Sequence, residues 1–103
     1  MQESSMNFDM ENVEPFLQMV SSLISSGFGG QEVAKVVAMA KQMGVDDERE
    51  LEFRIQYDGK PAVLRVRVFM DDVDAPDLYF FSPESLAERI DAEMEKFCEE
   101  LGI

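Results

Sequence analysis

The chain has 103 residues, of which 46% are hydrophobic, and it carries 22 acidic against nine basic residues for a formal net charge of −13. This length and apolar content predict one folded domain and not a disordered chain. The acidity argues against direct binding to nucleic-acid phosphates or anionic membranes and favours a basic protein partner. The alternative is that the charge only keeps a small domain soluble.

The first 30 residues predict a tail and one helix. Residues 1–8 are mostly polar and lack periodicity, which predicts a flexible N-terminal tail before a single domain at 9–103. Asp9 or Asn12 can cap a helix whose apolar residues recur at helical spacing as far as Ile24. The glycine-rich run at 25–30 predicts a tight joint anchored by Phe28.

A second helix is predicted from about Gln31 to Met43, with Gly44 ending it. Its residues are apolar on nearly every side, so we expect it to lie at the centre of the core or to be covered by another molecule. The second possibility predicts a two-fold homodimer through the first two helices. The predicted interface residues are Val33, Val36, Val37, Met39 and Met43.

The segments 51–57 and 60–70 alternate apolar and polar residues and flank Asp58-Gly59, a preferred two-residue hairpin turn. That turn predicts the apolar pairs Leu51/Val66, Phe53/Leu64 and Ile55/Ala62, with the ion pairs Glu52/Arg65 and Glu50/Arg67 on the other face. A slip of one residue would place Phe53 opposite Arg65, so the register is strongly specified.

A third strand is predicted at 78–81, after a loop at 71–76. Ser82 as N-cap and Pro83 at the first helical position then begin a long last helix, which Gly102 ends. The predicted fold class is therefore α+β, with two layers in the order α-α-β-β-β-α. Its antiparallel β-meander packs the helices on one face.

Catalytic chemistry is not indicated by the residue types present. The chain has no histidine, the usual general base near neutral pH. Cys98 is followed by Glu99 and Glu100, which disfavour the thiolate that a reactive cysteine needs. We therefore predict a protein that is not an enzyme, with no catalytic residues, metal or cofactor.

The location predicted by default is the cytoplasm. A single cysteine permits no internal disulfide, and no apolar run is long enough for a transmembrane segment. The first residues carry acid where a signal peptide carries base.

Two clusters have competing interpretations. Asp71, Asp72, Asp74 and Asp77 form the densest acidic loop, but they lack the spacing of a calcium-binding loop, which favours a solvated loop over a metal site. On the sheet face opposite the helices, Arg65, Arg67, Phe69 and Tyr79 form either a solvated face with ion pairs or a partner-binding surface.

The leading hypothesis is a non-enzymatic regulator or inhibitor that binds a basic protein partner, with a nucleic-acid mimic as its sharpest version. The predicted partner-binding residues are Asp71, Asp72, Asp74, Asp77, Glu84, Glu88, Asp91 and Glu95. The alternative is a self-associating structural or accessory subunit whose acidity serves solubility only.

Overall fold

A computed structural model describes residues 1–102, so Ile103, the last residue of the predicted domain, lies outside the described residues. The elements in chain order are β1 (Gln2–Asn7), α1 (Met10–Ser22), α2 (Gly30–Gln42), β2 (Glu48–Tyr57), β3 (Lys60–Asp72), β4 (Ala75–Ser82) and α3 (Glu84–Leu101). The four strands form one antiparallel sheet in the order β1-β4-β3-β2. None of the helices in the described chain is long and apolar enough to cross a membrane.

The predicted α+β meander with helices on one face is confirmed. Strands β2, β3 and β4 follow one another across the sheet, and the core-facing side chains of all four strands lie beneath the helices. The predicted register is confirmed, because Leu51 pairs with Val66, Phe53 with Leu64 and Ile55 with Ala62. Asp58, with φ of 54°, and Gly59, with φ of 74°, form the left-handed two-residue turn that this pairing requires.

The prediction of a flexible N-terminal tail was wrong for most of residues 1–8. Strand β1 pairs antiparallel with β4, and its inward side chains, Ser4 and Met6, are buried. Phe8, which follows the strand, is buried as well. Only two of the six strand residues face the core, so the local sequence carries little strand signal. Pairing with β4 is what orders the segment.

The core is centred on aromatic rings brought together from distant parts of the chain. Phe8 lies 5.1 Å from Phe16 and 5.1 Å from Phe97 between ring centroids, and Phe16 also lies 5.5 Å from Phe97. Phe80 of the sheet joins this group at 6.0 Å from Phe16. The cluster packs α1 and the C-terminal half of α3 against the segment that follows β1, and tilted ring pairs of this kind add to the apolar burial.

The glycine-rich joint between α1 and α2 packs against β2. Ser26 forms a β-bridge with Gln56, and Phe28 is buried with its ring edge-on to Phe53 at 5.1 Å. Gly27 has a φ of 92° and lies directly against the β2 backbone, so a side chain is excluded there. The predicted role of Phe28 as an anchor is confirmed.

Helix α2 has two clearly different faces, contrary to the expectation of an apolar surface on nearly every side. Ala34 and Ala38 lie on the exposed face, together with Lys35 and Lys41. Alanine is a strong helix former whose small side chain is well tolerated in solvent, so its presence does not mark a buried face.

Two local predictions differ from the structure at the ends of β4. Strand β3 continues to Asp72 and β4 begins at Ala75, so the predicted loop at 71–76 is reduced to a two-residue turn with a register irregularity before it. Pro83, and not Ser82, occupies the N-cap position of α3. The Ser82 hydroxyl is buried without a hydrogen-bond partner among the described residues, because this residue still belongs to β4.

Candidate functional site

Three separate acidic segments meet at the end of the sheet that carries the β3–β4 turn. The amide of Met10 donates to the carbonyl of Asp74 at 2.7 Å, which holds the start of α1 against the turn. The amide of Asp46 donates to the carbonyl of Met70 at 2.7 Å, and the amide of Met70 donates to the carbonyl of Asp47 at 2.8 Å. These backbone bonds bring the α2–β2 connector to Met70, two residues before β3 ends at Asp72.

We call this surface the acidic end. It comprises eight carboxylate residues from the three segments: Asp9, Glu11, Asp46, Asp47, Glu48, Asp71, Asp72 and Asp74. All of them are exposed except Asp47, which is half-buried. The sequence indicated only the 71–74 part, since the other two segments lie more than 20 residues away along the chain and are joined to it by tertiary hydrogen bonds.

The negative charge of the acidic end is not neutralised within the described chain. The ion pairs present in residues 1–102 involve only two carboxylates, those of Glu50 and Glu93. Neither belongs to the acidic end. Like charges held close together at a surface raise the local negative potential and attract cationic partners, an effect that salt screens over about 8 Å at physiological ionic strength.

Part of this acidity has a structural use. The Asp72 carboxylate accepts a hydrogen bond from the Asp74 amide at 2.9 Å, and the Asp47 carboxylate accepts one from the Gly44 amide at 2.8 Å. Both bonds stabilise turns, as short acidic side chains often do. Asp46 occupies the left-handed region with a φ of 67°. The remaining carboxylates, including Asp71 and Glu48, accept no hydrogen bond within the described residues, so local turn geometry does not explain them.

Two exposed valines lie among these carboxylates. Val45 is 59% exposed and precedes Asp46, while Val73 is 46% exposed at the tip of the β3–β4 turn between Asp72 and Asp74. Single exposed apolar residues are common on protein surfaces. Their presence within an unneutralised acidic surface adds the apolar contacts that a protein partner can bury, which charge alone does not supply.

The other five predicted partner-binding residues do not belong to the acidic end. Asp77 lies on the sheet face opposite the helices, where its carboxylate accepts a hydrogen bond from the Asn7 amide group at 2.8 Å. Glu84, Glu88, Asp91 and Glu95 are exposed along α3. Their spacing of three and four residues places them on one stripe about 16 Å long. Glu84 lies at the opposite end of the sheet, and the stripe runs back toward the acidic end.

The open face of the sheet, which no helix covers, holds the predicted arginine and aromatic residues. The guanidinium carbons of Arg65 and Arg67 lie 5.3 Å and 5.0 Å from the centre of the Phe81 ring. Both side chains also approach Glu50, at 3.9 Å and 3.2 Å. The predicted Glu50–Arg67 ion pair is therefore present, but Arg65 turns to Glu50 and not to Glu52. These contacts support the interpretation of a solvated face with internal ion pairs.

The predicted dimer interface is largely inside the molecule. Val33, Val36, Val37 and Met43 are buried in the chain's own core, so their side chains are not presented to a second copy. Met39 alone of the five is half-buried and reachable from outside. This prediction and the expectation of an apolar surface around α2 fail for the same reason. Both counted exposed alanines together with the valines that face the core.

Within residues 1–102, no group of three or more acidic or cysteine side chains is arranged to hold a metal ion.

No protein-family model matches this chain, and no curated protein and no solved structure matches it.

Proposed function

We propose that this protein is a non-enzymatic binding domain that engages a basic protein partner through the acidic end. The observation that carries the proposal is the meeting of eight carboxylates, none of them in an ion pair within the described chain, around exposed Val45 and Val73. Regulation or inhibition of the partner is the role such a surface supports. A nucleic-acid mimic is the narrower version, in which the partner's cationic surface is one that binds phosphates.

The alternative use of acidity, solubility, does not require charges of one sign to be gathered in one place. A soluble surface intersperses both signs and avoids large fields of one sign. Here seven acids and no lysine or arginine occupy residues 46–48 and 71–74 together with Asp9, and the basic residue next to them in sequence is Arg49, directly after Glu48. The concentration of charge supports a role in recognition.

The experiment is a comparison of association rates. Affinity capture from the native host identifies a candidate partner, whose association is then measured at several salt concentrations. We expect a steep fall of the rate between low and moderate salt, because long-range steering of opposite charges is screened. Replacement of Asp71, Asp72 and Asp74 by Asn should slow association and leave stability nearly unchanged, since Asn keeps the side-chain acceptor that the turn uses.

The matched control removes the same number of charges from the far part of α3, at Glu84, Glu88 and Asp91. A smaller effect of this control than of the triple Asn variant supports the acidic end as the binding surface. Equal effects of the two variants would assign the attraction to net charge alone. A flat response to salt in all three proteins would reject the proposal and leave acidity as a solubility trait.

A further inference from the structure

The outer edge of β2 has main-chain groups that point away from the sheet. The amide of Gln56 donates to the Ser26 carbonyl at 2.9 Å, and the Gln56 carbonyl accepts from the Ser25 amide at 2.9 Å, so both groups of this residue face outward. Alternate residues of a strand repeat that orientation, and the β2–β3 pairing continues without irregularity to Glu48. Glu48, Glu50 and Glu52 therefore also face outward, and in the described chain their main-chain groups have no backbone partner. The Arg54 carbonyl faces the same way but is covered by Gly27.

A groove lies beside this edge on the helix side of the sheet. It has a volume of about 630 Å³ and an apolar lining from Ala38, Met39 and Leu51, and the polar residues around it are Lys35, Gln42, Arg49 and Glu50. The groove exists because α2 packs over β3 and leaves the inner side of β2 uncovered near its start. An edge strand with unpaired main chain beside an apolar groove is the arrangement that accepts an added strand.

We propose that the edge of β2 binds an extended segment of the basic partner as an antiparallel fifth strand of the sheet. The inference rests on the proposed function and names the form in which the partner binds. Apolar side chains of the segment enter the groove, and alternate side chains lie on the open face of the sheet, where basic residues meet Glu48 and Glu52. The edge begins at the acidic end, to which Glu48 belongs.

The charges around the edge specify the pattern of the segment. Glu50 is already paired with Arg65 and Arg67, whereas Glu48 and Glu52 are in no ion pair within residues 1–102. Basic residues are therefore required at two positions four apart, opposite Glu52 and Glu48. Lys35 and Arg49 at the groove repel a basic residue that enters it, so a segment shifted by one residue is disfavoured on both faces.

The same charges argue against a second copy of this chain as the occupant. Because Gly27 lies against the Arg54 carbonyl, the free edge is residues 48–52. In an antiparallel two-fold pairing over this edge, Glu48 lies opposite Glu52 twice and Glu50 lies opposite Glu50, and each chain brings a net charge of −13. Like charges directly opposite one another destabilise a strand pair. Charged edge strands protect proteins from pairing with copies of themselves. The charges on this edge are mostly negative, so they repel a second copy and attract a basic segment.

The first test uses the synthetic peptide acetyl-TKVTVKT-amide, which has two lysines four positions apart and valines on the alternate face. We expect saturable binding at low salt by fluorescence anisotropy, with slower hydrogen exchange at the amides of Glu50 and Glu52. The matched control peptide carries N-methyl groups on the three residues opposite Glu48, Glu50 and Glu52. Its side chains and charge are unchanged, but its main chain cannot donate, so we expect binding at least about tenfold weaker.

The second test changes the protein. Glu52→Lys on the open face and Met39→Glu in the groove should each weaken binding of the peptide by about tenfold, whereas Glu88→Lys on α3 should change it by less than about threefold. Circular dichroism of each variant checks that the fold is intact. If Glu88→Lys weakens binding as much as Glu52→Lys does, the edge has no special role.

Failure of strand addition and failure of the proposed function give different results. Equal, salt-dependent binding of the normal and N-methylated peptides would overturn strand addition while leaving the acidic surface as an attractor of basic partners. Absence of saturable binding by the normal peptide would overturn strand addition as well. The acidic end is then judged separately from the association rates of the triple Asn variant. Protection of the β2 amides by dimerisation of the chain alone would replace the basic segment with a second copy.

Discussion

Gly27→Ala should be the most damaging single-methyl change in the chain. A Cβ at this position would overlap the carbonyl oxygen of Arg54 and lie 2.7 Å from the Ile55 Cα, both of which are backbone atoms that cannot move aside cheaply. The backbone φ of 92° is also strained for any residue with a side chain, at a cost of about 1–2 kcal/mol. Displacement of the joint would further weaken the two hydrogen bonds to Gln56, each contributing about 1 kcal/mol.

Together these effects predict a loss of about 2–4 kcal/mol, which is a large fraction of the stability of a typical domain. In urea unfolding monitored by circular dichroism, the midpoint should fall by about 1–3 M. The matched control is Gly30→Ala at the first residue of α2, where an added Cβ meets no atom within 4 Å. That variant should be neutral or slightly more stable, because alanine favours helix. If the stability losses of Gly27→Ala and Gly30→Ala agree within about 0.5 kcal/mol, the argument that the joint packs against the β2 backbone is refuted.

Three further outcomes are expected. Phe53→Ala should cost about 3–5 kcal/mol in denaturant melts, since it removes a buried ring, whereas Glu52→Ala should cost under about 1 kcal/mol; equal losses would show that the two faces of the hairpin are misassigned. Met6→Ala should cost about 2–4 kcal/mol because the Met6 side chain of strand β1 is buried, against under about 0.5 kcal/mol for exposed Ser5→Ala; equal losses would contradict the placement of β1 in the sheet. Sedimentation equilibrium at high micromolar concentration should give the 11.7 kDa monomer for both wild type and Met39→Lys; a dimer that this substitution dissociates would restore self-association through α2.

The candidate site could be predicted only in part, because its residues come from three segments that are far apart in the sequence. A run of acids at 71–77 is visible in the sequence, and the structure places Asp71, Asp72 and Asp74 in the open at a turn. Asp9 and Glu11 join them through the bond between Met10 and Asp74, which no local pattern encodes. The free edge of β2 and its groove depend on which strand lies outermost and on where α2 crosses the sheet, and both are decided by packing.

The sequence by itself determined the hairpin and the class of fold. Alternation with period two around Asp58-Gly59 leaves one register that buries Phe53 and Leu64 together, so the pairing follows from local rules. Only the tertiary structure decided that residues 2–7 are a strand, since Ser4 and Met6 gain order by pairing with β4 and by closing over the core. The tertiary structure also decided which face of α2 is buried. Alanine and valine are both apolar, so the pattern alone does not show which of them the sheet covers.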